Sequence, residues 1–253
     1  MAAGMGRVIR HDLMCTDPAA GAEFYAALFG WSVTELRVMG MTVRRLSAGT
    51  RVVGAVMPFD KAAGFPSHWV PYMLVASVDD TCVRVAELGG EICMGGFDIP
   101  PGRFALAGDP AGALFSPFTP RELPDDPPPG RMEPGTFCWD ELLTPDPGAA
   151  VRFYRQLFGW DERTETMAGG EEYAVLTEGS RPRAGVMRMP PGAHVRPSWL
   201  SYVATTDTDA TAARAASLGA KVTTGPADIP GVGRFAVLAD PTGARFALLA
   251  ASG

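Results

Sequence analysis

Apolar and polar positions change their spacing along the chain in an order that repeats. A short β-like run at Val8–Cys15 gives way to a helical pattern after Asp17-Pro18, where Asp is a favourable N-cap and Pro a favourable first helical residue. Gly30 should end that helix, because glycine readily adopts the left-handed conformation found after helix C-termini. Strand-like runs follow at 31–37, 41–48 and 51–58. The pattern therefore predicts one strand, one helix and three further strands.

The same order of elements returns three more times. A second round is predicted as a strand at Trp69–Ser77, a helix at Asp80–Leu88, and strands near 91–95, 103–108 and 112–118. In the second half of the chain, the strands Phe137–Leu143 and Trp199–Thr205 precede helices at 147–158 and 209–218. We predict an α+β fold with two βαβββ modules in each half. One face of each sheet is covered by a helix and the other lines a cleft.

The two halves of the chain also share similar sequence segments. DPAAGAEFYAALFGW at 17–31 returns as DPGAAVRFYRQLFGW at 146–160, and DIPPGRFALAGDPAGALF at 98–115 returns as DIPGVGRFAVLADPTGARF at 228–246. A nearly constant offset over such long segments indicates a tandem duplication. The proline-rich stretch between the copies is typical of an extended connector. We predict a first domain at 6–119, a linker at 120–134 and a second domain at 135–251.

Charge and composition exclude several classes of protein. The net charge of −6 argues against a nucleic-acid partner, which usually meets a basic patch. No apolar run is long enough for a membrane span, and the first residues lack the apolar core of a signal peptide. The four cysteines show no CxxC pairing and are interpreted as buried, free thiols. We expect a cytoplasmic protein without membrane partners, either a monomer or a homodimer.

The motifs Asp-Pro, FYxxLFGW and DPxG, separated by a central strand, resemble those of the vicinal oxygen chelate superfamily. That superfamily includes glyoxalase I, bleomycin-resistance proteins and extradiol dioxygenases. The resemblance covers both copies almost end to end and is closest to two-domain glyoxalase-like proteins of actinobacteria. It implies tandem glyoxalase-like domains, but it does not fix one function, because this scaffold supports many unrelated activities.

In catalytic members the resemblance implies a divalent metal ion held by His and Glu on four strands. The fourth ligand position falls within 51–57 or 183–189, and neither segment contains His or Glu. Arginine is not a ligand at neutral pH, and aliphatic side chains have no donor atom, whereas a metal site needs several converging donors. We predict no metal and no other cofactor, and leave open a makeshift site from His11, His68 and Asp12. The other three positions align with Arg10, Val70 and Ser116 in copy one and with Trp139, Leu200 and Ala247 in copy two.

Strand alternation predicts inner faces that mix aromatic and aliphatic side chains with a few charges. Such a lining suits a flat, largely apolar ligand with some hydroxyl or carbonyl groups. The matched carboxylates Asp12 and Glu141 are candidate general bases if the protein is an enzyme. A structural ion pair between Asp12 and Arg10 is an equally good interpretation. The candidate ligand-binding residues are Arg10, Met14, Trp69, Tyr72, Arg103 and Ser116, and Trp139, Trp199, Tyr202 and Arg234.

Three functions are compatible with these residues. The first is a metal-free protein that binds or sequesters a small aromatic or polycyclic secondary metabolite, in antibiotic resistance or biosynthesis. The second is a metal-independent cyclase, isomerase or lyase in secondary metabolism, with Asp12 or Glu141 as the base. The third is a metal-dependent dioxygenase or lyase. The loss of the expected ligand residues from both copies argues against the third function. We take the first as the predicted function and keep the second as its alternative.

Overall fold

The computed structural model describes residues 4–38, 40–59, 66–123, 132–167, 170–190 and 196–252. Within those ranges the chain forms sixteen strands and four helices. The first half contains β1 (Val8–Cys15), α1 (Pro18–Phe29), β2 (Ser32–Val38), β3 (Met41–Ala48), β4 (Arg51–Pro58), β5 (His68–Leu74), α2 (Val78–Glu87), β6 (Glu91–Ile99), β7 (Gly102–Gly108) and β8 (Leu114–Pro120). The second half contains β9 (Phe137–Thr144), α3 (Pro147–Phe158), β10 (Asp161–Thr166), β11 (Glu172–Glu178), β12 (Arg181–Arg188), β13 (Ser198–Ala204), α4 (Thr208–Ser217), β14 (Lys221–Ile229), β15 (Gly233–Ala239) and β16 (Arg245–Ala251).

Each half forms one eight-stranded sheet. The strand order β2-β3-β4-β1-β5-β8-β7-β6 of the first sheet recurs as β10-β11-β12-β9-β13-β16-β15-β14 in the second. Within a module the three later strands are antiparallel, and the opening strand runs parallel to the last of them, as β1 does to β4. The predicted α+β fold of four βαβββ modules is confirmed. The largest difference in a boundary is at β6, which continues to Ile99 and pairs with β7 through two register shifts.

The ends of α1 and α3 follow from the sequence. The Asp17 carboxylate accepts a hydrogen bond from the Ala20 amide at 3.1 Å, and Asp146 accepts one from the Ala149 amide at 3.0 Å. Gly30 follows α1 with a φ of 71°, in the left-handed region that favours glycine. The predicted N-cap and the predicted end of α1 are confirmed, and α3 begins with an N-cap of the same kind.

The chain also divides into two compact units that each combine parts of both copies. Unit 1 consists of Met1–Ile9, Pro71–Gly130 and Trp139–Trp199, and unit 2 consists of Arg10–Val70, Arg131–Cys138 and Leu200–Gly253. The domain bounds 6–119 and 135–251 remain a prediction. Much of the predicted linker at 120–134 lies outside the described residues.

Helix α1 supplies much of the core of unit 2, and α3 does so in unit 1. The rings of Phe24 and Tyr25 lie 6.0 and 5.4 Å from the ring of Phe246. In unit 1, the ring centroids of Tyr154 and Phe115 lie 5.7 Å apart in a similar edge-to-face contact. Both tyrosines are fully buried. The phenylalanine and tyrosine rings of the FYxxLFGW motif therefore pack the helices against the sheets.

Two other sequence expectations concern the helices and the cysteines. In the part of the chain that the structure describes, no helix is long and apolar enough to cross a membrane. All four cysteines are free thiols, and Cys15 is buried. Cys93 is exposed, so the prediction of burial was wrong there, because β6 is an edge strand with only β7 beside it.

Candidate functional site

The predicted ligand-binding tryptophans Trp69 and Trp199 lie in the cores of the two units, 3% and 4% exposed. Trp69 Nε1 donates a hydrogen bond to the Tyr25 hydroxyl at 2.8 Å, and Trp199 Nε1 donates one to the Tyr154 hydroxyl at 3.2 Å. A buried indole N–H usually needs such an acceptor. The structure therefore gives both indoles a packing role, and direct contact with a ligand remains a prediction.

In unit 1 this hydrogen-bonded chain continues to the aspartate of the first DPxG motif. Tyr154 Oη donates to Asp109 Oδ2 at 3.3 Å, and Asp109 Oδ1 accepts from the amides of Ala111 and Ala113, both at 2.9 Å. Burial raises the pKa of the Asp109 carboxyl, although these hydrogen bonds oppose the shift. Burial, followed by the nearby Asp109 charge, raises the pKa of Tyr154 well above its ordinary value. Asp109 therefore stabilises the turn that contains Ala111 and Ala113.

The predicted ligand-binding arginines Arg103 and Arg234 each bridge two carboxylates near the surface. Arg103 contacts Asp79 and Asp98, both at 2.9 Å. Arg234 contacts Asp228 at 3.0 Å and, through its Nε, the Asp209 carboxylate. These hydrogen bonds raise the pKa of both guanidinium groups, with the Asp79 bond first for Arg103 and the Asp209 bond first for Arg234. The matched pairs join each second module's helix to its strands, and a ligand role remains a prediction.

Three further predicted residues are buried on the opening or closing strands of the second modules. Tyr72 packs against the rings of Phe104 and Phe118, with centroids at 5.9 and 5.5 Å. Ser116 Oγ donates to the Ala105 carbonyl at 2.7 Å. Tyr202 is buried on β13. Met14, on β1, is only half-buried.

In unit 2 the predicted residues Arg10 and Asp12 do come together. Arg10 Nε donates to Asp12 Oδ1 at 2.7 Å, and Arg10 Nη2 reaches Asp12 Oδ2 at 3.3 Å. The Ala55 amide of β4 also donates to Asp12 Oδ1, at 2.8 Å. Asp12 is 2% exposed, so its charge is buried and neutralised by arginine. The predicted ion pair is confirmed.

This pair lies on the side of the sheet that faces away from α1. A Cβ placed on Gly21 of α1 would lie 2.9 Å from Cys15 Sγ and 3.2 Å from Leu13 Cδ2, so α1 covers that side of β1. Because side chains alternate along a strand, Asp12 points to the opposite side. Its neighbours there are the Cα partner Ala55 on β4 and Arg45, which is the Cα partner of Ala55 on β3. We call Arg10, Asp12, Arg45 and Ala55 the Asp12 face.

In unit 1 the matched positions form a different constellation, the Glu141 face, defined by Trp139, Glu141, Tyr173 and Gly185. Trp139 Nε1 donates to the Tyr173 hydroxyl at 2.9 Å. The Tyr173 phenol is also hydrogen-bonded to the Glu141 carboxylate. Burial raises the pKa of Tyr173 strongly, and the Glu141 charge raises it further. The phenol therefore remains protonated and available as a donor at neutral pH.

Register shows that the two faces occupy equivalent places in their modules. In copy one, Asp12 on β1 is the Cα partner of Ala55 on β4, which in turn is the Cα partner of Arg45 on β3. In copy two, Glu141, Gly185 and Val175 are paired in the same order across β9, β12 and β11. The Asp12 face thus carries two arginines and one carboxylate, whereas the Glu141 face carries one carboxylate among aromatic and aliphatic groups. The copies share a scaffold but differ in charge.

The donor set does not fit a divalent metal ion. Across the described ranges no group of three His, Cys, Asp or Glu side chains is placed to hold one. His11 stacks on Phe137 with ring centroids 3.8 Å apart, and the Nδ1 atom of His68 lies 2.8 Å from the Pro66 carbonyl oxygen. The alternative set of His11, His68 and Asp12 is therefore not brought together, since His11 and Asp12 point to opposite sides of β1.

Sequence reasoning missed Tyr173, Gly185 and Arg45. Tyr173 reaches the Glu141 face across an intervening strand, which alternation along one strand cannot show. Two signals were present: glycine at 185 where copy one has Ala55, and the adjacent Arg44-Arg45, of which one must face each side of a strand.

Comparisons with known proteins agree with this architecture. Residues 136–249 match the family model described as Glyoxalase-like domain. The chain is 38% identical to CFP32 of Mycobacterium tuberculosis, with 94% of this chain and 92% of the relative aligned. It is 34% identical to the anthracycline biosynthesis protein DnrV of Streptomyces peucetius, with 94% and 90% aligned.

Solved structures share the fold at low sequence identity. The Mn(II)-bound glyoxalase of Novosphingobium aromaticivorans superposes with a TM-score of 0.65 and 17% identity, covering 97% of this chain and 82% of that one. The 2,3-dioxygenase LapB of Pseudomonas sp. KL28 gives a TM-score of 0.65 and 12% identity, covering 99% and 94%. At sequence identities this low, the similarity shows a shared fold and does not indicate a shared function.

Proposed function

Because this chain belongs to the glyoxalase-like family of the vicinal oxygen chelate superfamily, we propose that it binds a polycyclic aromatic secondary metabolite without a divalent metal ion. One observation carries the proposal. The residues at the first metal-ligand position of the two copies are Arg10, bound to Asp12, and Trp139, bound to Tyr173. Neither side chain supplies a ligand atom to a metal ion.

The chemistry of the Glu141 face suits an aromatic ligand. Trp139 and Tyr173 offer flat rings, and offset or edge contacts between rings add to the free energy of burying them. Glu141 adds an acceptor that can orient a hydroxyl group of the ligand. Few polar groups on an aromatic surface are typical of small-molecule sites.

The named relatives support the same class of ligand. DnrV of Streptomyces peucetius and DauV of Streptomyces sp. strain C5 are both anthracycline biosynthesis proteins, at 34% and 33% identity over 94% of this chain. Anthracyclines contain fused aromatic rings. Handling of such a compound, in biosynthesis or in resistance, is therefore the role that we propose.

A titration with 1,8-dihydroxyanthraquinone tests this proposal. Tryptophan fluorescence of the full chain is followed with EDTA present throughout, and quenching of free N-acetyltryptophanamide corrects for absorption by the dye. We expect saturable quenching with a micromolar Kd, and mass spectrometry should recover the compound unchanged. Binding that disappears in EDTA and returns with a divalent metal would contradict the proposal.

A metal-independent enzyme is the second candidate, and the Tyr173–Glu141 hydrogen bond favours it. A buried carboxylate can accept a proton from a ligand, and the hydrogen bond from the Tyr173 phenol fixes the orientation of the Glu141 carboxylate. On this account Glu141→Gln abolishes turnover but leaves binding nearly intact. Asp12→Asn serves as the comparison, because the Asp12 charge is already neutralised by Arg10.

A further inference from the structure

Among the residues that the structure describes, no carboxylate forms an ion pair with Arg45. Arg45 lies half-buried on β3, and its Nε atom is buried with no hydrogen-bond partner among the described residues. Leaving a buried donor unsatisfied costs free energy, and such groups are uncommon in folded proteins. The preceding residue differs, because Arg44, on the other side of the strand, pairs with Glu35 at 2.9 Å.

The nearest carboxylate on the same face is already engaged. Arg45 on β3 and Asp12 on β1 are the Cα partners of Ala55 on the two sides of β4. Because neighbouring strands lie nearly 5 Å apart, the α-carbons of Arg45 and Asp12 are separated by about 10 Å. Asp12 is held by Arg10 and by the Ala55 amide. Two of the three charged side chains that define the Asp12 face are therefore guanidinium groups, and one is a carboxylate.

We propose that Arg45, beside the Arg10–Asp12 pair, binds the carboxylate of an aromatic acid. A guanidinium group donates two parallel hydrogen bonds to a planar carboxylate, which also supplies the missing counter-charge. The inference rests on the proposed function and adds the substrate class: the ligand of the Asp12 face is an anion.

The second copy does not share this property. Val175 stands at the register position of Arg45, and Trp139 stands at that of Arg10. The Glu141 face therefore offers no guanidinium group to a carboxylate at either matched position. The two copies select different ligands, an aromatic acid in one and a neutral aromatic in the other.

Matched probes test this selection: anthraquinone-2-carboxylate and anthraquinone-2-carboxamide, which differ by one charge. Isothermal titration with the full chain measures their Kd for the wild type, Arg45→Met, Arg45→Lys and Arg44→Met. Arg45→Met should weaken binding of the acid by about tenfold or more, the usual effect of losing a charge-assisted hydrogen bond. Arg45→Lys should retain part of the affinity, and binding of the amide should not change.

Arg44→Met is the matched control, because it removes the same charge from the same strand on the other side of the sheet. Thermal unfolding of each variant verifies that it is folded. If wild type binds acid and amide equally, or if Arg44→Met weakens the acid as much as Arg45→Met, the anion site is wrong while the proposed function stands. If wild type binds neither probe, both inferences fail.

Discussion

The hydroxyl of Tyr173 lies directly over the α-carbon of Gly185. A Cβ built on Gly185 would sit 1.8 Å from that oxygen and 3.1 Å from Trp139 Nε1. Tyr173 is on β11 and Trp139 on β9, so the phenol crosses the whole of β12 to reach its partner. Only the absence of a side chain at position 185 permits this crossing.

Gly185→Ala should therefore displace the Tyr173 ring and break its hydrogen bond to Trp139. We expect a loss of about 1–3 kcal/mol in the free energy of unfolding, the usual cost of overpacking a filled site. The Trp139 emission should also shift to the red as water reaches the indole. Urea denaturation and fluorescence spectra measure both effects.

Gly95→Ala is the control for that substitution, because a Cβ at Gly95 meets nothing within 4 Å. Its free energy of unfolding should stay close to that of the wild type. Equal stability of Gly185→Ala and Gly95→Ala would show that the Tyr173 hydroxyl does not depend on the space at 185.

Asp12→Asn should destabilise unit 2, because it removes the ion pair between the partly buried Arg10 and the buried Asp12. Removing one partner of a buried pair costs about 3–5 kcal/mol, and about 2–3 kcal/mol is expected here because the Arg10 side chain is 18% exposed. Urea denaturation gives the value. The double variant Arg10→Met with Asp12→Asn should recover part of the loss, and a double variant less stable than Asp12→Asn alone would argue against the pair.

Tyr25→Phe and Tyr154→Phe should destabilise the protein by similar amounts. Each substitution removes the acceptor of a buried indole N–H, which costs about 1–3 kcal/mol. Ligand binding should remain unchanged in both, because these hydroxyls lie in the cores. A large loss of affinity without a loss of stability would assign them to the site instead.

The pH dependence of stability should reflect Asp109. Burial raises the pKa of its carboxyl above the ordinary 3.8 of an aspartate. The folded state then binds the proton more tightly than the unfolded chain, so this contribution is complete below about pH 3.8 and is lost as the pH rises through the raised pKa. The stability of wild type relative to Asp109→Asn should therefore fall as the pH increases from about 4 to 7.

Asp161→Asn, at an exposed position of β10, serves as the comparison for the pH series. Its stability relative to wild type should change much less over the same range. A wild-type advantage over Asp109→Asn that grows with pH would contradict the assignment.

Elements governed by local chemistry could be predicted from the sequence. Asp17 and Asp146 mark helix starts because their carboxylates reach amides three residues ahead, and Gly30 marks a helix end because of its positive φ. The Arg10–Asp12 contact could also be predicted from the sequence, since residues two apart on a strand share a face.

Contacts between distant strands could not be predicted in this way. Trp69 and Trp199 lie on strands buried on both faces, so alternation gives no reason to prefer the ligand side over the core. The Tyr173–Glu141 contact depends on strand order and on one missing side chain. Strand order depends on the whole sheet, and no single segment contains it.

Elemental analysis of the full chain, purified without chelator, measures whether the protein holds a divalent metal ion. Among the described residues, neither the Asp12 face nor the Glu141 face offers a donor set for a divalent ion. We therefore expect zinc, iron, nickel and manganese far below one ion per chain, with anthraquinone binding intact in that same sample. One tightly held ion per chain, lost together with binding on substitution of Asp12 or Glu141, would contradict the account.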